Sequence, residues 1–134
     1  MNKITIGSLI FTVLALGGMV ALLTSGTTLQ ETAVDPNGPT NIRMVDGKQV
    51  IQVQAKGGYA PRNTIAKANT PSVLNVTTND TFDCSSALSI PTIGFRKALP
   101  SSGTTPIEIP PQPAGTTLKG ICAMGMYHFA VQFQ

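Results

Sequence analysis

Histidine, tryptophan and acidic side chains are scarce in this chain: its 134 residues hold one histidine, no tryptophan and six aspartates and glutamates. A lone His128 with six carboxylates supplies neither a Ser/His/Asp nor a Cys/His catalytic set, and no carboxylate pair or phosphate-cradling glycine loop takes its place. A catalyst is not expected. The one acidic pair near a cysteine, Asp80 and Asp83, stands at a loop start and reads as turn residues. Nine Lys and Arg residues give a net charge of +3, but they are scattered among few aromatics, so no basic stripe argues for nucleic acid. Helical periodicity is missing from residue 43 onward, and the length leaves room for one small folded domain.

What is present begins with an apolar run. Lys3 and the N-terminal amine precede residues 4–23, a stretch without a charged side chain and as long as the roughly 20 residues a helix needs to span a bilayer. The expectation is a short basic N-terminus at residues 1–3 and one N-terminal transmembrane helix at 4–23, in contact with the lipid bilayer. A cleaved signal peptide competes with it, although Leu22 and Leu23 run into Thr24-Ser25-Gly26 without a cleavage pattern. The first basic residue after the run is Arg43, which orients a single-pass protein of the cell membrane with its domain on the extracytoplasmic face; the cytoplasmic face is the alternative.

Residues 24–40 are rich in Thr, Gly, Asn and Pro, carry no hydrophobic period and read as a flexible tether. From 41 to 134 short apolar runs alternate with polar residues between Gly, Pro, Asn or Asp, the pattern of an all-β sandwich. Ile51 and Val53 alternate with Gln52 and Gln54 until Gly57-Gly58 breaks the strand, and Leu74 and Val76 repeat the pattern. Ile107 and Ile109 flank Glu108 before Pro110-Pro111-Gln112-Pro113, which lacks most of the amide donors a ladder needs. Late strands are expected over 118–121 and 128–133, with Phe129, Val131 and Phe133 on one face, Tyr59 and Tyr127 packed at the sheet ends, and His128 a solvated strand residue. Met44, ahead of the first clear strand, is expected to pack against the sandwich.

Between those late strands stands Cys122-Ala123-Met124-Gly125-Met126, in a chain with one other methionine, Met44, beyond residue 20. Thiolate and thioether ligands together select Cu(I) among the common biological metals. Cys84 is a plausible fourth sulfur. A structural Cys84–Cys122 disulfide is the competing reading and would be worth about 4 kcal/mol in the chain-entropy estimate. Core methionines, however, are usually scattered as gap fillers, not clustered beside a cysteine in a Gly-containing turn.

Five segments carry a resemblance: Gly58-Tyr59-x-Pro61, Ala68-x-Thr70-Pro71, Asp83-Cys84, Pro91 to Gly94, and Cys122-x-Met124-x-Met126. Together, over residues 48 to 134, they are similar to a bacterial cupredoxin-like family. The cysteine with Cys-x-Met-x-Met resembles its membrane-anchored Cu(I) chaperones and the related metal-binding domains of copper-exporting P-type ATPases. The resemblance implies a Greek-key β-sandwich in which Cys84 and Cys122 share Cu(I) ions as thiolates while Met124 and Met126 each complete an ion, giving a binuclear cluster. It also implies a copper-exporting P-type ATPase as partner. Two thiolates balance the charge of two Cu(I) ions, and neutral thioethers exchange fast, which suits sequestration or delivery. Two positions depart from the family: Asn69 stands where glycine is usual, and His128 where a charged or small residue is.

Other readings are weaker. Blue-copper electron transfer takes two histidines, and this chain has one. Cupredoxin domains of bacterial iron-uptake proteins would offer oxygen or nitrogen ligands, which this sulfur-rich turn does not. A non-catalytic, disulfide-stabilised cell-surface interaction module is the alternative that the cysteine count supports.

Overall fold

A computed structural model describes residues 41–134, which form ten strands and two short 3-10 turns. The apolar run at 4–23 and the segment 24–40 lie outside the described residues. Among the described residues no helix is long and apolar enough to cross a membrane.

The first sheet is ordered β1-β2-β5-β8, with β3 also paired to β2. Its strands are β1 (Ile42–Val45), β2 (Lys48–Ala55), β3 (Tyr59–Ala60), β5 (Ser72–Thr78) and β8 (Gly103–Ile109). The second sheet runs β4-β10-β9-β6-β7, from β4 (Asn63–Ala66), β10 (His128–Phe133), β9 (Thr117–Cys122), β6 (Ala87–Ile90) and β7 (Phe95–Ala98). Both sheets are mixed: β2 lies parallel to β5, and β4 parallel to β10, while the other pairs are antiparallel.

Period-two alternation sets the two inner faces. Ile51, Val53 and Ala55 of β2, Leu74 and Val76 of β5, and Ile107 and Ile109 of β8 are buried from the first sheet. Leu118 of β9, Leu88 and Ile90 of β6, and Phe129, Val131 and Phe133 of β10 meet them from the second. Pro106 is accommodated inside β8 because that strand is an edge, where a missing amide costs no ladder bond. The expected strands at 118–121 and 128–133 are both present, the first extended by one residue at each end to end on Cys122.

One polar contact and one aromatic contact tie the layers together. The buried Gln49 amide donates to the Lys67 carbonyl and to Ser72 Oγ at 2.7 and 2.8 Å, while its oxygen accepts from the Lys67 amide at 3.0 Å. Every polar atom of that buried side chain therefore has work, as burial requires. Phe129 packs edge-on to Tyr59 with ring centroids 5.1 Å apart, and its ring lies over Gly120, its partner in register, where a Cβ would overlap it.

One expectation fails here. Met44 lies within β1 and is 40% exposed, so it does not pack against the sandwich as expected; β1 pairs only with β2, through a hairpin turned at Asp46-Gly47, both of positive φ.

Candidate metal centre

At one end of the sandwich a 3-10 turn and the β9–β10 connection bring four sulfur-bearing residues together. Cys84 opens the turn Cys84–Ser86, and Asp83 caps it: its Oδ1 accepts from the Ser85 amide and Ser85 Oγ, and its Oδ2 from the Gly57 amide at 2.8 Å. These bonds, the Ser85 hydroxyl foremost, hold the Asp83 carboxyl below its ordinary value. The Tyr59 hydroxyl, pushed up to about 12 by burial and then by the Asp83 charge, donates to the Ser85 carbonyl at 3.1 Å. Tyr59 thus packs at a sheet end and also pins the turn that carries Cys84.

Cys122 is the last residue of β9, buried and paired with Leu88 of β6. Its carbonyl accepts from the Gly125 amide at 2.9 Å, and its amide donates to the Tyr127 carbonyl at 3.0 Å, which closes the chain into a tight turn. Gly125 has φ of 72°, a conformation in which a side chain is strained. The Ala123 amide bonds the Ala87 carbonyl at 2.9 Å and fastens the start of the turn to β6.

Cys84 and Cys122 form a disulfide, their Cα atoms 5.7 Å apart across 38 residues of sequence. Each sulfur also accepts a backbone amide at 3.4 Å: Met124 donates to Cys84 Sγ, and Tyr127 to Cys122 Sγ. Such donors stabilise negative charge on sulfur. The turn therefore sits within one hydrogen bond of both cysteines. Met124 and Met126 are 76% and 62% exposed. Phe82, beside Asp83, is exposed as well. A groove of 710 Å³ opens beside the turn, between Ile121 to Gly125 on one side and β6 and β7 on the other.

The donor set is sulfur. Among the described residues no three histidine, cysteine, aspartate or glutamate side chains converge on a point, so a metal held here would take thioether sulfur beside cysteine. As a disulfide the two cysteines are not thiolates; two electrons from a thiol reductant, itself oxidised to a disulfide, are needed to make them so. His128 is exposed on the outer face of β10, as alternation requires. Asp83 is the residue whose part exceeds its reading as a turn former, and the signal was present: an Asp immediately before the cysteine and two residues before a serine.

An all-β sandwich with one sulfur-lined end is the class these features define. The chain belongs to the cupredoxin-like domain family, whose model matches residues 15–133. Among solved structures it resembles the solution structure of a copper binding protein in the apo form, with 26% identity and a TM-score of 0.62 over 69% of this chain and 94% of that one. It shares its fold with the metal binding domain of the Cu(I) exporting P-type ATPase CopA of Streptococcus pneumoniae, at 20% identity and a TM-score of 0.60 over 68% of this chain and 90% of that one. No curated protein matches it.

Proposed function

We propose that this chain binds Cu(I) through Cys84, Cys122, Met124 and Met126, and sequesters it or passes it to a copper-exporting P-type ATPase. One observation carries the reading: both cysteine sulfurs and the two-methionine turn meet at one end of the domain, with the methionines exposed. The likeness to a copper binding protein and to an exporter's metal binding domain supports it. The domain is non-catalytic and is tethered to a membrane by residues 4–23; the handling of copper for export favours the cytoplasmic face, and Lys3 the extracytoplasmic one. An oxidising space on that side suits the disulfide.

In this reading a thiol reductant opens the disulfide, two thiolates neutralise up to two Cu(I) ions, and the amides of Met124 and Tyr127 stabilise the sulfur charge. A partner's thiolate then attacks a Cu(I) ion whose thioether has left, and a shared three-coordinate ion passes across. The test is a Cu(I) titration of the full chain under reducing, oxygen-free conditions against a chromogenic chelator, beside Cys84→Ser. Two equivalents withheld by the wild type and surrendered by the variant are expected; no competition with the chelator would overturn the reading.

The disulfide itself favours a second reading, a non-catalytic surface module that the Cys84–Cys122 bond merely stabilises. A native mass lower by two hydrogens with no metal after copper-replete expression, together with no chelator competition after reduction, would decide for that module.

A further inference from the structure

Charge is divided unevenly between the two sheets. Of the four carboxylates among the described residues, Asp46, Asp80, Asp83 and Glu108, none lies on a strand of the second sheet, and Glu108 pairs with Lys48 at 3.3 Å on the first. Arg96, Lys97 and Lys119 of the second sheet form no ion pair among the described residues. Strand register gathers two of them, Arg96 and Lys119, on the outer face. Arg96 opposes Ser89, Ser89 opposes Ile121, and Ile121 opposes His128, a row across four strands that is about 15 Å long at the usual strand spacing. The neighbouring pair Phe95 and Ile90 packs on the core, so by alternation this row faces away from it, and Arg96, Ile121 and His128 are exposed. Lys119, two residues before Ile121 on the same strand face, extends the patch.

This row abuts the sulfur turn, because Ser89, Arg96 and Ile121 line one groove with Met124 and Gly125. We propose that the outer face of the second sheet docks the protein that exchanges metal with the turn, and that this partner presents acidic side chains around its own sulfur ligand; the proposal rests on the copper reading. Ile121 and Met124 line one groove together with Arg96, so a partner seated on the row reaches the turn. The exposed Ile121, Met124 and Met126 supply an apolar centre, Arg96 and Lys119 a charged rim, and His128 a polar neighbour. Rim charges raise the encounter rate more than the affinity, which fits a partner that must dock, take an ion and leave. The cations fall short of the roughly 6–10 phosphate contacts of a typical nucleic-acid binder, which favours a protein surface.

The test uses synthetic peptides as probes: a Cys-x-x-Cys pair flanked by Glu and Asp, the same pair flanked by Ser and Gly, and an acidic version with serine in place of cysteine. Added to the metal-free full chain, the serine version should shift the amide resonances of Ser89, Arg96, Lys119 and Ile121, and Arg96→Glu with Lys119→Glu should abolish the shifts. From the Cu(I)-loaded chain, the acidic peptide should take metal about tenfold faster than the neutral one at low salt. That advantage should fade as salt rises and vanish in the charge-reversed variant, whose transfer to the neutral peptide stays unchanged. Equal rates for the two peptides, or shifts away from this row, would overturn the proposal. So would shifts produced by phosphatidylglycerol vesicles and not by the peptide, which would make the face a membrane contact. A chain that takes up no Cu(I) yet shows the row shifts sinks the copper reading while upholding an acidic docking face; Cu(I) uptake with no row shifts sinks the docking face alone.

Discussion

The two sides of the sulfur cluster are built differently. Cys84 stands on a turn whose cap, Asp83, accepts from the Gly57 amide and from both the amide and hydroxyl of Ser85, and whose next carbonyl is held by the buried Tyr59. Cys122 is equally fixed, buried at the end of β9. Met124 and Met126 lie instead on a turn held by its own backbone bonds, with both side chains in solvent. In the proposed copper reading, strong ligands on rigid supports and weak ligands on an exposed turn would form a site that retains an ion yet can be entered from outside.

Removing the fixed side should have the largest effect. Cys122→Ser should abolish Cu(I) retention and, in the absence of reductant, lower the unfolding free energy by about 4 kcal/mol, the chain-entropy value for a loop of this length. Under strong reductant the loss should shrink to a small residue, because the reduced wild type has lost the same cross-link. Denaturant midpoints measured with and without reductant check this. Equal losses in both would mean that the cysteine matters by packing alone.

The support beneath Cys122 comes next. A Cβ at Gly120 would overlap the Phe129 ring, which is buried in the core. Gly120→Ala should therefore cost about 1–3 kcal/mol, the usual range for overpacking, measured as a fall in denaturation midpoint. If it also shortened Cu(I) retention while Met124→Leu did not, the division of labour between the two sides would be sharpened.

Asp83 gives a smaller effect with a pH signature. Its carboxyl titrates below the ordinary value of 3.8 because the Ser85 hydroxyl and the Gly57 and Ser85 amides favour the charged form. A depressed folded value contributes stability that is complete above 3.8 and is lost as pH falls through the folded value. Asp83→Asn leaves one acceptor oxygen where the carboxylate has two, and should lower stability by about 1 kcal/mol at neutral pH, the worth of one hydrogen bond, and the gap to wild type should close in acid. A gap that stayed constant through the acid limb would show that the charge plays no part.

Much of this was legible before any coordinates, and the exceptions have physical causes. Strands with a clean alternation, such as Gln49 to Ala55 and Phe129 to Phe133, announce themselves because one face of each is buried. The edge pieces β1, β4 and β7 do not: Ile42–Val45 and Phe95–Ala98 bury little, and Asn63–Ala66 buries only Thr64 and Ala66. Met44 differs from expectation for the same reason, since β1 pairs with β2 alone and, of its side chains, Ile42 rather than Met44 packs on the core. The sulfur turn was readable from spacing, but its contact with Cys84 depends on a pairing 38 residues apart that only the fold supplies. Likewise Arg96, Lys119 and His128 look scattered along the chain, and register across β7, β6, β9 and β10 makes them one patch.

The smallest effect on stability is the sharpest test of function. Met124 and Met126 are exposed, and no hydrogen bond involves their side chains, so replacing both by leucine keeps volume and hydrophobicity and should change the unfolding free energy by less than about 0.5 kcal/mol. The backbone turn is untouched, because Gly125 supplies its positive φ and the bonds at Cys122 and Tyr127 are main-chain bonds. What changes is the donor set, from two thiolates with two thioethers to two thiolates alone. Under reductant the double variant should still bind Cu(I) but hold it less well, with metal lost faster to a chelator than from the wild type. A chelator time course beside a denaturation curve reads both quantities on one preparation. Unaltered loss with unaltered stability would leave the two methionines as surface residues and confine the site to its cysteines; faster loss with unaltered stability would locate the exit route at the exposed turn.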